Sequence, residues 1–302
     1  MPGIYVETNI QCPMEDLWVK TQTPELHQRW DLRFTDINYG SRPDESQPQR
    51  FWYATRIGFG IAIAGEGETV GTQEGGGSRT SALKFWSNDP RSLIREGSGY
   101  WKYIPTTNGI RFLTWYDYTV RFGFLGRCFD ATVFRPLIGW ATAWSFDRLR
   151  RWLEEGLDPA VALRESLIYG ISRVVVAFIW IYHGLVPKLL FSNPDEVEML
   201  RNIGIPAENL KLSMTALGVA EIAFGLSMLL LWRARSLFVA TCVLMVLALA
   251  GVVIHSPHYL AAAFNPVTLN ASMIALSVVG LVSRTGLASA RRCRRKKPQS
   301  AL

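Results

Sequence analysis

What this 302-residue chain lacks narrows its chemistry before any motif is sought. Its four cysteines, Cys12, Cys128, Cys242 and Cys293, lie far apart and form no CxxC, no CxxCH and no clustered set. That spacing offers no disulfide framework, haem attachment or iron–sulfur cluster, so the thiols read as unpaired and reduced. Histidine is equally sparse, at four residues. His255 and His258 make an HxxH, but no third ligand stands at a suitable spacing, and no metal is expected. "GFGIAIAG" at 58–65 has neither GxGxxG spacing nor a following Lys-Ser/Thr, which excludes a phosphate loop. The opening "MPGIYVETNIQCP" has no basic stretch followed by an apolar one, so roughly the first 150 residues are expected to stay in the cytoplasm.

Charge is the last scarcity, and it is local. The chain is mixed and polar up to about Gly156, whereas Leu, Ile, Val, Ala and Met dominate beyond about Leu167. Four stretches meet the length of a membrane helix, roughly 20 apolar residues: about 167–190, 212–231, 236–254 and 266–283. Glu221 alone interrupts the second, and the third and fourth carry no charge. Basic loops alternate with non-basic ones, the loop at 255–265 having no formal charge. "WRAR" at 232–235 and the tail with six basic residues between Arg291 and Lys297 are basic, while 192–211 is net acidic. Both termini are therefore expected on the cytoplasmic side of a bacterial inner membrane. The same rule accounts for the net charge of +7 without nucleic acid, and lets the tail meet anionic lipid head groups. Gly156, Asp158 and Pro159 have the order of a helix stop, an N-cap and a first helical residue, so the first span is expected to begin outside the membrane.

The first half alternates like strands: Ile4–Ile10, then runs at 34–39, 51–64, 80–86, 93–104 and 110–122, separated by turn material such as "SRPDESQPQ", "GEGE" and "GGGS". "PMEDLWVKTQTPELHQRW" at 13–30 has a helical pattern. A long helix is expected at 127–155, with Trp140, Trp144, Leu149, Trp152 and Leu153 as its inward stripe. His27, the one histidine of this half, reads as a helix-surface or capping residue. The result is an α+β domain over residues 1–156. Its order, and "CPMEDLWVKTQTPELHQRWD" at 12–31 in particular, resembles the START-like, polyketide-cyclase-like helix-grip superfamily. That resemblance implies a cavity between helix and sheet for a hydrophobic small molecule such as a lipid, sterol or quinone, with aromatics such as Phe59 serving either as cavity wall or as core.

The four spans and "WIYHGLVPK" at 180–188 resemble the DoxX-like membrane proteins over about residues 165–285. The resemblance is carried by Trp180, Gly184, Pro187 and Lys188, with Glu221 as the acidic residue of the second helix. It implies an all-α four-helix transmembrane bundle at 157–285, followed by a basic cytoplasmic tail at 286–302, and a location more than an activity. Catalytic residues are not identifiable and no cofactor motif is evident; a quinone is the cofactor the family leaves open.

Intramembrane charges are costly and need partners. Glu221 lies near the middle of its span, and His183 about 6–8 Å from the centre of the first at 1.5 Å per residue. These two are expected to pair, with Arg173 the second candidate. Lys188, further out, either snorkels to the outer surface or binds a quinone, anion or proton. The expected function is binding or an accessory role in membrane lipid or redox chemistry. The alternatives are a quinone-using oxidoreductase subunit with Glu221 and His183 moving protons, and a bundle that merely anchors a cyclase- or hydrolase-like domain. Membrane lipids, a membrane-protein partner or a second copy are the partners this allows.

Overall fold

The computed structural model describes residues 2–42, 44, 47–58, 60–263 and 265–298. Pro43, Glu45 and Ser46 of the expected turn, Phe59, Phe264 and residues 299–302 of the tail lie outside them. Two compact units emerge: Met1–Leu163 together with Ala288–Leu302, and Arg164–Leu287. The segment from Ala288 onward, expected as a separate tail, is thus counted with the first unit.

The first unit is a seven-stranded antiparallel sheet with helices on one face. Its strands are β1 (Ile4–Ile10), β2 (Asp36–Tyr39), β3 (Arg50–Gly58), β4 (Ile61–Gly75), β5 (Ser78–Trp86), β6 (Ile94–Thr106) and β7 (Gly109–Val120), in the spatial order β1-β7-β6-β5-β4-β3-β2. Helices α1 (Met14–Gln22) and α2 (Pro24–Trp30) connect β1 to β2. A long helical run closes the unit: α3 (Gly123–Phe129), a π-helical segment at Asp130–Phe134, and α4 (Arg135–Glu155). Pro136 falls inside this run: it has no N–H to donate to the preceding turn, and the π-helical segment lies immediately before it. Gly156 ends α4 at φ 68°, and the Asp158 carboxylate accepts from Ala160 N at 2.8 Å to start α5 (Pro159–His183).

Alternation places Trp101, Tyr103, Phe112, Tyr116 and Tyr118 on the concave face, where they meet Ala143, Trp144, Phe146 and Leu149 of α4. This is the helix-grip arrangement. The space between helix and sheet is filled by rings: Phe112 stacks on Phe146 at 4.5 Å, and Trp30 meets both Trp101 and Phe146 at 6.0 Å. Trp140, expected on the inward stripe, faces outward instead.

Two local expectations are corrected. The run at 51–64 is a hairpin of two strands, and "GEGE" is not a turn but the interior of β4. Glycine is required there because the rings of the cross-strand partners lie over it: a Cβ on Gly65 would fall 2.2 Å from Tyr53, and one on Gly67 2.2 Å from Phe51. The free edge of β1 is also covered. Glu7 and Arg294 exchange two main-chain hydrogen bonds at 2.9 Å, and Cys293 donates to Ala143 O, so the chain's end straps β1 to α4.

The second unit comprises α5 from Arg164 on, a π-helical stretch at Gly184–Leu190, α6 (Pro194–Asn202), α7 (Leu210–Leu230), α8 (Ser236–His255) and α9 (Pro266–Val282). Pro159–Leu190, Ala207–Leu230 and Ser236–His255 are long and apolar enough to cross a membrane. The fourth apolar helix, α9, has 17 residues, about 25 Å at 1.5 Å per residue and at the short limit for a span. The long helices of this unit expose apolar side chains, Leu212, Val246 and Val278 among them, while Tyr169, Trp180, Phe238 and Met245 form the inner core. That inside-out polarity suits lipid as solvent.

Candidate functional site

Lys188 is the pivot of the polar centre in the second unit. Its side chain is 4% exposed, and its Nζ lies 3.1 Å from Glu196 Oε1 of α6 and 3.2 Å from Glu221 Oε2 of α7. Side chains on a helix tilt toward its N-terminus. A lysine in the final turn therefore reaches back into the bundle, not out to the surface where snorkelling would have put it. Glu221 accordingly pairs with Lys188 and not with His183, whose nearest ring neighbour is Tyr182 at 6.1 Å. Glu221 Oε2 is close enough for an ion pair but off the direction of a hydrogen bond, so this buried oxygen keeps its accepting capacity among the described residues. Glu196 was not singled out in the sequence because α6 reads as a solvated acidic loop. The bond from Asp195 N to Asn193 Oδ1 caps that helix and sets its first turn over Lys188.

Close backbone approach positions the pair. A Cβ on Gly184 would sit 2.4 Å from Gly218 O, and one on Gly225 2.8 Å from Ala177 O, so the first two long helices of this unit touch through their main chains. Pro187 has no N–H to donate, and it lies within the π-helical stretch that widens this turn. Trp180 donates to Thr241 Oγ1 at 3.3 Å and packs against Phe224. Arg173 serves a different end of the bundle: its guanidinium donates to Met228 O at 2.5 Å, Leu231 O at 2.6 Å and Ala234 O at 3.2 Å. It thereby supplies positive charge and donors to the carbonyl end of α7. Of the four polar residues expected at one site, Lys188 and Glu221 meet, His183 lies within electrostatic reach of Lys188 and Glu196 without an ion pair to Glu221, and Arg173 stands apart.

The first unit holds a buried polar cluster that the sequence reading missed. His27 is not on a helix surface: it is buried, stacked on Trp30 at 5.1 Å and edge-on to Trp101 at 4.9 Å. Its Nε2 lies 3.0 Å from Asp31 Oδ2, and Arg33 grips the same carboxylate at 2.6 and 2.9 Å. Arg33 lies over Tyr116, whose hydroxyl meets Thr142 at 2.8 Å. Burial pushes the His27 imidazole below its ordinary pKa despite Asp31. Burial also opposes the Asp31 charge, but Arg33 outweighs it and holds the carboxyl well below the usual carboxylate range. The i,i+4 spacing in "HQRWDLR" was the available signal. Arg148, buried on α4, donates to Arg29 O, Trp30 O and Pro159 O; burial pulls its pKa down to about 10. An open groove at the sheet's edge is lined by Trp52, Tyr53, Glu66 and Arg91.

Comparison with known proteins places these features. Residues 177–278 match the DoxX-like family. An uncharacterized membrane protein, YndG of Bacillus subtilis (strain 168), is 48% identical over 184 residues, covering 60% of this chain and 68% of that protein. Those aligned residues cannot all fall within 164–302, so the similarity reaches into the first unit. Among solved structures, the di-domain ARO/CYC StfQ from the steffimycin biosynthetic pathway is 16% identical with a TM-score of 0.41, covering 51% of this chain and 50% of that one. The chain thus spans half the length of that protein. A STAR-related lipid transfer protein fragment from Xanthomonas axonopodis is 14% identical with a TM-score of 0.37, covering 49% of this chain and 82% of that one.

Proposed function

The chain belongs to the DoxX-like family of membrane proteins, and from that premise we propose that it binds an amphiphilic molecule, a quinone or a lipid, with the bundle taking the polar head. The observation that carries this is Lys188, an ammonium buried among apolar helices between two carboxylates from two different elements. Such a cluster costs stability unless it is used, because desolvating three charges is expensive. Lys188 can donate to a carbonyl or phosphate oxygen, and the Glu221 oxygen without a hydrogen bond can accept from a hydroxyl. The helix-grip unit would serve the same hydrophobic molecule on the cytoplasmic side. The arginines of 232–235 and the exposed basic residues from Arg291 support placing both termini there.

An oxidoreductase subunit is the second reading. The two carboxylates flanking one ammonium favour it, since they can pass a proton while the cluster keeps an opposite charge; Lys188 replaces His183 as the partner in that relay. The test is mass spectrometry of lipids and quinones that co-purify with the full chain. Lys188→Met and Glu221→Gln should each lower the retained molecule about tenfold, the loss of one charge-assisted hydrogen bond, without changing helicity. Retention equal to wild type in both variants refutes the proposal. Loss of redox turnover with retention intact favours the oxidoreductase.

A further inference from the structure

We propose that the outer face of the helical run from Phe122 to Trp140 is a membrane-docking surface that lays the first unit onto the lipid bilayer. Phe122, Leu125, Phe129, Val133, Leu137 and Trp140 are all exposed. From Leu125 on, spacings of three and four residues put them on one stripe of a helix that continues through α3, the π-helical segment and α4, and Phe122 stands just before its first turn. Phe124 beside them is 71% exposed and Leu125 is 77% exposed. A helix that covers a sheet ordinarily turns polar residues to water. Here the rule is inverted.

The charges around the stripe are arranged for lipid. Arg127 is the one exposed charged residue between Phe122 and Trp140. Asp130 is turned inward, bound by Tyr118 Oη at 2.7 Å and Arg135 Nε at 2.9 Å, so no carboxylate repels an anionic surface. The sheet adds a second contact at the same end. Val120 pairs with Ile94, Trp86 with Glu96 and with Glu66, and Gly58 with Ile61, which puts the β3–β4 hairpin at the same end of the sheet as the start of α3, with β4 three strands over from β7. Exposed Ile57 and Ile61, with exposed Arg56, stand at that hairpin.

A bilayer is the occupant because the chain supplies one. Only residues 156–158 separate α4 from Pro159, the first residue of the first candidate span. The unit is thereby confined to within a few nanometres of the lipid surface. An apolar helix face with a basic fringe sinks its side chains about 5–10 Å into the boundary between head groups and acyl chains. A stripe facing water at that surface would be a standing aggregation hazard.

Cys128 lies in this exposed segment and offers a probe. The full chain carrying Cys12→Ser, Cys242→Ala and Cys293→Ala is labelled at Cys128 with an environment-sensitive fluorophore. It is then reconstituted in vesicles of phosphatidylethanolamine and phosphatidylglycerol. Quenching by lipids with a shallow nitroxide should exceed quenching by aqueous iodide, since the face sits about 5–10 Å into the interface, and Phe129→Glu with Val133→Glu should reverse that order. A label open to iodide in vesicles overturns the proposal. So does a label shielded from both quenchers, which would mean that protein, a second copy or the chain's own bundle, covers the stripe. Lipid quenching unchanged by the two glutamates would overturn it as well.

Discussion

Asp31→Asn should destabilise the first unit more than any surface change, and the structure indicates by how much. The wild-type carboxylate is fully buried and holds four contacts, at 3.0 Å to His27, at 2.6 and 2.9 Å to the Arg33 guanidinium and at 3.1 Å to Arg33 N. The amide keeps the shape but leaves the Arg33 guanidinium inside without a counter-charge. Breaking a buried pair in this way costs about 3–5 kcal/mol, a large share of a stability of about 5–15 kcal/mol. The expected fall in Tm is roughly 6–20 °C for a unit of this size. It is measured on the full chain in detergent by tryptophan fluorescence, since Trp30 and Trp101 both contact His27. Removing both charges in Asp31→Asn/Arg33→Met should recover part of the loss. Acid should reveal the same cluster. Asp31 has a folded-state pKa held below the ordinary 3.8, so its contribution is present above that value and is lost as pH falls through the folded one. His27 is pushed below its ordinary 6.5, so the unfolded chain takes up a proton first and stability already declines below about that pH. Asp31→Asn should flatten the part of the profile below 3.8. A loss under about 1 kcal/mol, or a double variant as damaged as the sum of the singles, would refute the account.

The bundle offers further tests. Gly184→Ala places a Cβ 2.4 Å from Gly218 O; it should destabilise the bundle by about 1–3 kcal/mol, read as a lower denaturing-detergent midpoint, and an unchanged midpoint would deny the close contact. Arg173→Met removes the donors to Met228 O, Leu231 O and Ala234 O. Amides of the α7–α8 turn should then exchange hydrogen faster, by about tenfold or more for a loss above 1.4 kcal/mol, while unchanged protection would show that the carbonyls do not depend on Arg173.

How far the sequence could be read depended on how local each signal was. Span length and charge alternation made α5, α7 and α8 visible, and strict alternation made β1 visible. "GEGE" misled because glycine at 65 and 67 serves cross-strand rings and not a turn, a relation legible only once β3 and β4 are paired. The place of Lys188 is hidden for a geometric reason: sequence position sets the depth of its Cα, yet a lysine side chain reaches about a turn back toward the N-terminus. His27 was discounted as a lone histidine, although Asp31 stands one helical turn away. Glu196 and the strap to Arg294 carry no short-range signature at all.

The long-range contacts of the strap change what the two halves of the chain are. Adjacent residues of α4 hold both points where the chain leaves and re-enters the first unit. Arg148 donates to Pro159 O at 2.7 Å, at the start of the first apolar helix, and the Asp147 carboxylate accepts from Ser289 N at 2.7 Å, just after the last. The bundle is therefore an insertion between α4 and its own strap, and not a domain appended after a linker. Arg148 also reaches Arg29 O and Trp30 O beside the His27 cluster, while Asp147 is fixed by Arg150 at 2.8 Å. Both crossings are thus anchored in α4, the helix that covers the concave face of the sheet. That connectivity joins the helix-grip unit to the unit of the Lys188–Glu221 pair by two chain crossings and not one.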